Sequence, residues 1–142
     1  MDEEKNTVKG EQYFWNFIFS IFFVFLVFLS VYYLRSVGRL PYRIPVFDFI
    51  FLALATYRLI RLFVYDSVTN FIRDHFRKYS SGPGKTIWYL LDCPWCTGVW
   101  MALVVAFFYF ATPLAWFPIL ILAIAGTATF IQITILKIGQ SL

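Results

Sequence analysis

Two cysteines three positions apart, in Cys93-Pro94-Trp95-Cys96, are the side chains of this sequence with the most chemistry in them. A proline directly after the first cysteine suits the first turn of a helix, where its missing N–H would be unpaired anyway. A thiol at a helix N-terminus is biased toward the thiolate, the reactive form. Three readings follow. The pair serves packing and turn geometry, since buried thiols behave as small hydrophobes. It forms half of a metal site, with His75 and Asp92 or a second protomer completing the four ligands that structural zinc requires. Or it does dithiol redox chemistry, although the thioredoxin pattern demands a βαβ context that is missing here. His75 is the single histidine, so a two-histidine metal motif within one chain is excluded.

The second constellation is Arg58 and Arg61, set in the run from Val46 to Tyr65. An arginine at the centre of a bilayer costs at least about 2.5–3.5 kcal/mol. Arg61 lies close enough to Tyr65 to snorkel to the interface. Arg58 is a turn deeper and either snorkels as well, pairs with an acid, or lines a pore or carrier path. By its place at the start of the third apolar run, Asp92 is the expected acid. Asp66 or Ser67 is expected to cap the next helix. Gln132 and Thr134 are expected to hydrogen-bond between helices.

The elements that must hold these residues are apolar helices. Of 142 residues, 61% are hydrophobic and 14% charged, with 18 Phe, 9 Tyr and 5 Trp, and the mean hydropathy is +0.72. Soluble domains average about 45–50% apolar and about 25% charged. Lipid is therefore the expected solvent, which excludes a cytosolic enzyme, a nucleic-acid-binding domain and a disordered tail. The net charge of +4 sits between apolar runs, where it orients a membrane protein, and no nucleic-acid partner is expected.

The expected fold is all-α: a polytopic membrane protein of about four transmembrane helices with one interfacial amphipathic helix. Residues 1–12 read as a polar, solvated tail. Residues 13–34 read as an N-terminal transmembrane helix whose run from Phe14 to Leu34 is uncharged and long enough for a hydrocarbon core of about 30 Å. Residues 35–45 form a loop with three Arg and two Pro. The core, 46–136, holds three further spans: Val46–Tyr65, Pro94–Ala111 and Pro118–Leu136. Between the first two of these, 66–79 carries Val68, Phe71, Ile72, His75, Phe76 and Tyr79 on one helical face, with Arg73, Asp74, Arg77 and Lys78 elsewhere. That pattern predicts a helix lying at anionic head groups. Residues 80–85, SSGPGK, read as a breaker. The small residues of AGTAT, 125–129, allow close helix approach to a second copy or to a membrane partner.

Lys and Arg distribute unevenly. Lys5, Lys9, Arg73, Arg77, Lys78, Lys85 and Lys137 fall on one side of this topology, and Arg35, Arg39 and Arg43 on the other. The positive-inside rule then puts both termini of a multi-pass cell-membrane protein in the cytoplasm. No P-loop, dinucleotide fingerprint, zincin or nucleophile-elbow pattern occurs. The expectation is a non-enzymatic structural or partner-binding module without a cofactor. The alternatives are a thiol or metal site at Cys93 and Cys96, or a pore built on Arg58.

Three strings carry a resemblance: ALATYRLIRLFVYDSVTNFIRD (53–74), LLDCPWCTGVWMA (90–102) and ILAIAGTATFIQ (121–132). Their order and spacing resemble a family of small bacterial membrane proteins, domain of unknown function thirteen-sixty, over about residues 47–135. That family includes proteins labelled as sporulation proteins of the YjcA type. The resemblance implies three core membrane helices, with the first helix as an extension. It also implies a signature at Arg58, Arg61, Asp66, Arg73, Cys93, Trp95, Cys96, Gly98 and Trp100. It implies no reaction, and an association with sporulation or the envelope for some members.

Overall fold

The computed structural model describes residues 1–79 and 82–142, and within them every regular element is helical. The chain runs through α1 (Asp2–Ser36), α2 (Val46–Val64), a 3-10 turn at Ser67–Thr69, α3 (Asn70–Arg77), α4 (Pro83–Asp92), α5 (Pro94–Ala111), a second 3-10 turn at Pro113–Ala115, and α6 (Trp116–Ser141). Three segments are long and apolar enough to cross a membrane: α1, α5 and Pro113–Ser141, which contains α6. The remaining expected span, Val46–Tyr65, corresponds to α2, whose 19 residues include Asp48, Arg58 and Arg61.

Several boundaries depart from the sequence reading for local reasons. The polar residues 2–12 are not a separate tail but the first three turns of α1. Asp2, Glu3 and Glu4 in its first turn complement the positive end of the helix dipole. Span three begins at Pro94 and ends at Ala111 as expected, with Cys93 as its N-cap residue. The fourth run extends beyond Pro118–Leu136 at both ends, from Trp116 to Ser141, with Gly139 carried inside the helix. Helix α4 falls in a stretch with no assigned element. Gly82, at φ +81°, supplies the turn into Pro83, so the Pro and Gly of 80–85 start a helix as well as break one. Ser80 and Ser81 of that expected breaker lie outside the described residues.

Helix α2 is the centre of the bundle and packs chiefly against α6 and α5. The core joins Leu52 and Ala55 of α2 to Val105 of α5 and to Ile119 and Ala123 of α6. The α2–α6 contact is close because Gly126 has no side chain. A Cβ there would run into the Leu54 carbonyl oxygen. Small residues at such crossings let helix backbones approach, so part of the 125–129 patch is spent inside this chain, while Thr127 and Ala128 remain exposed. Helix α1 is peripheral and touches α4 and α5.

Polar bonds tie the ends together. Thr97 is fully buried, and its hydroxyl donates to the Leu90 carbonyl, linking α5 to α4. Gln12 of α1 donates to Thr86 Oγ1 of α4 at 2.6 Å. At the opposite end, Arg39 donates to the Ala111 carbonyl at 2.9 Å. Gln132 and Thr134 do not link helices in this chain: both are exposed, and Thr134 donates to Phe130 O within α6.

Candidate functional site

Most of the charged and thiol side chains singled out by the sequence gather where α2 ends and α5 begins. Arg58 projects from the last third of α2. Its Nη2 lies 3.1 Å from Asp66 Oδ2, and both side chains are about a quarter exposed. Its Nη1 donates to Thr129 Oγ1 of α6 at 3.5 Å. The expected pairing of Arg58 with Asp92 is therefore corrected. Asp92 is exposed at the end of α4, and the acid that meets Arg58 is the one just past its own helix. For the same reason Asp66 makes no side-chain cap bond to the turn that follows, since its carboxylate is engaged by Arg58.

The segment after Asp66 folds back on the end of α2. Thr69 is buried and donates to the carbonyls of Leu62, at 2.8 Å, and Phe63, at 3.2 Å. These are among the last carbonyls of α2, which have no partner within the helix. Arg73 does the same with charge: its guanidinium donates to Val64 O, to Asn70 Oδ1 and, at 3.5 Å, to Asp66 O. Arg73 thus belongs to the inside of the turn and not to the solvated face expected for it. A cation at a helix C-terminus is favoured by the dipole, which explains the placement. The expected interfacial helix is shorter than 66–79. Its Ile72 and Phe76 are half-buried, and Val68 and Phe71 remain exposed. Tyr79 lies against Gly84, where a Cβ would come 2.5 Å from its ring.

Arg61 lies with its guanidinium 5.1 Å from the centre of the Tyr65 ring, a cation–π arrangement. Its Nε is buried with no hydrogen-bond partner among the described residues. His75 is exposed and stacks edge-on with Phe76 and Tyr79. Among the described residues no three His, Cys, Asp or Glu side chains form a group able to hold a metal ion.

The two thiols do come together. Both are free, and the Cys96 S–H donates to Cys93 Sγ at 2.8 Å. The Cys96 backbone N–H points at the same sulfur from 3.4 Å. Cys93 is the N-cap of α5, and its sulfur takes the role usually played by a Ser or Asp oxygen. These two bonds, the thiol first and the N–H second, lower the Cys93 thiol below its ordinary value. Trp95, between the cysteines, stands 86% exposed.

The remaining signature positions hold the neighbouring helices. Gly98 faces α2, where a Cβ would sit 3.2 Å from Ile60 Cδ1. Trp100 packs on α1, with ring centres 5.0 Å from Phe23 and 6.2 Å from Phe22. Beside Trp100 a cleft of about 510 Å³ opens between α1, α4 and α5. Cys96, Asn16, Ser20 and Thr86 are among its lining residues. Asn16 and Ser20, one turn apart on α1, escaped the sequence reading; two polar residues at i and i+4 near the start of a largely apolar run were the available signal.

The family described as protein of unknown function (DUF1360) matches residues 51–86 and 80–135, leaving α1 outside. The chain is 36% identical over 113 residues to the UPF0713 protein YngL of Bacillus subtilis (strain 168), covering 70% of this chain and 86% of that one. It is 34% identical over 107 residues to the sporulation protein YjcA of the same organism, covering 62% of this chain and 90% of that one. No solved structure matches it. The chain belongs to the DUF1360 family.

Proposed function

We propose that this member of the DUF1360 family is a four-span membrane module, with both termini in the cytoplasm, that acts by binding a membrane partner and not by catalytic turnover. The observation that carries this reading is the Arg58–Asp66 pair. A charge that would otherwise suggest a pore or carrier path is committed to holding α2 against the turn that follows it. As the second span, α2 has a length of about 28 Å at 1.5 Å per residue, close to a hydrocarbon core of about 30 Å. Its arginines then lie toward the cytoplasmic side. Exposed Val68 and Phe71 beside Arg77 and Lys78 suit anionic head groups. The exposed small residues Thr127 and Ala128, followed by the exposed Ile131 and Ile135, offer α6 to a second copy or another membrane protein. The name of one relative, a sporulation protein, supports a role in sporulation or at the envelope.

Reporter fusions after Ser81 and at each terminus test the topology. All three are expected to report the cytoplasm, and an external signal at any of them overturns the reading. Crosslinking through a cysteine placed at Ala128, in a chain lacking Cys93 and Cys96, is expected to capture a partner or a second copy in intact membranes.

A second reading, a thiol site at Cys93 and Cys96, is favoured by the 2.8 Å approach of the two sulfurs. Oxidation of the pair by diamide, read as protection from maleimide labelling, tests it.

A further inference from the structure

The cleft between α1, α4 and α5 has a composition that its neighbours on the molecule lack. Aromatic rings of Phe19, Phe23 and Trp100 line it. Exposed Asn16 and Ser20, buried Thr86 and the thiol of Cys96 line it as well. Two of its three walls, α1 and α5, are helices apolar and long enough to cross a membrane, so a molecule dissolved in the bilayer can reach it sideways. The volume, about 510 Å³, lies within the range of small-molecule sites, about 300–1,000 Å³. Asn16 accepts from Gln12 through its amide oxygen at 3.3 Å, which leaves its N–H groups to donate. Its occupant should thus be flat, apolar in body, soluble in lipid and equipped with carbonyl acceptors.

We propose that this cleft takes the head group of a membrane quinone, which oxidises the Cys93–Cys96 dithiol. This rests on the thiol-site reading of the pair and names its oxidant. The balance is simple. Two S–H bonds break and one S–S bond forms between Cys93 and Cys96. Two electrons and two protons pass to the quinone, whose two carbonyl oxygens become hydroxyls. Cys96 is the sulfur facing the electron acceptor, and Cys93, 2.8 Å away, closes the disulfide at the usual S–S length of about 2.05 Å. Trp100 offers the ring a stacking face, and Asn16 offers a carbonyl a donor.

The test uses the full chain, reduced and anaerobic, in vesicles of neutral phospholipid containing decylubiquinone. Ring substitution on this probe blocks addition of a thiol to carbon. Quinol is followed by absorbance and free thiols by maleimide mass shift. One quinol is expected per disulfide formed, with none from Cys93→Ser or Cys96→Ser. Trp100→Leu and Asn16→Leu are each expected to slow oxidation by the quinone about tenfold, the size that one good contact supports, while water-soluble diamide oxidises them at the wild-type rate. If diamide forms the disulfide and decylubiquinone does not, the quinone inference fails and the thiol reading survives. If neither oxidant forms it, both fail. Equal quinone rates in wild type and both cleft variants also overturn the proposal.

Discussion

Arg58 and Asp66 meet at 3.1 Å across the end of α2, and the same guanidinium reaches Thr129 of α6 at 3.5 Å. One side chain therefore binds together the central helix, the turn leaving it and the last helix.

Asp66→Ala removes the acid and leaves Arg58 partly buried without its charge partner. Losing a hydrogen bond to a charged group costs about 1.5–3 kcal/mol, and the quarter exposure of both side chains keeps the cost below that of a fully buried pair. The double change Arg58→Leu with Asp66→Leu is expected to be milder than the sum of the single changes. Asp92→Ala, on an exposed residue, is expected within about 0.5 kcal/mol of wild type. Thermal melts in one detergent decide; additive losses for Arg58 and Asp66 would show no coupling.

Gly126→Ala places a methyl against the Leu54 carbonyl oxygen, a backbone atom that cannot swing away. Overpacking of this kind costs about 1–3 kcal/mol. Gly98→Ala meets only the end of the Ile60 side chain and should cost clearly less. The ranking of the two melting temperatures is the measurement.

Thr97→Val keeps the shape but leaves the Leu90 carbonyl without its hydroxyl donor in a fully buried place. An unsatisfied buried group costs about 1–3 kcal/mol. Faster amide exchange at the α4–α5 junction should accompany the lower melting temperature.

Because its thiol is lowered chiefly by the Cys96 thiol bond, Cys93 should alkylate at a lower pH than an ordinary cysteine. In Cys96→Ala the largest lowering contribution disappears while the backbone N–H remains. The alkylation profile of Cys93 should then shift upward in pH. An unshifted profile would mean that the neighbouring thiol does not stabilise the thiolate.

Cys93→Ser with Cys96→Ser should insert and fold with at most a modest loss of stability. Serine is itself a preferred N-cap, so the α5 start survives, and the remaining change is on surface that is already partly exposed. A large fall in melting temperature would point instead to a lost metal shared between copies.

The helices were legible where length and punctuation agreed. Pro94 and the Thr112-Pro113 pair bracket α5, and the sequence reading placed both ends. Helix α4 was not legible, because ten residues opening on Pro-Gly look like a loop until α3 and α5 are there to pack on it. The charged cluster was legible as a set but not as a wiring. Asp66 has the spacing of a helix cap and Arg73 the neighbours of a solvated face. Both are drawn inward by unpaired groups at the end of α2 that exist only after the chain folds back. The thiol pair was readable from its spacing, whereas its neighbours Asn16 and Ser20 belong to a helix some eighty residues away in sequence.

The Arg58–Asp66 pair also bears on the order in which the chain can be made. Thr129 is 71 residues beyond Arg58, and at about 5–20 residues per second it leaves the ribosome roughly 4–14 seconds later. Asp66 is eight residues beyond Arg58 and emerges almost with it. During translation Arg58 can thus be matched by Asp66 before α5 and α6 have been synthesised. A partner encoded nearby lets a helix that carries Asp48, Arg58 and Arg61 wait for the helices that will enclose it.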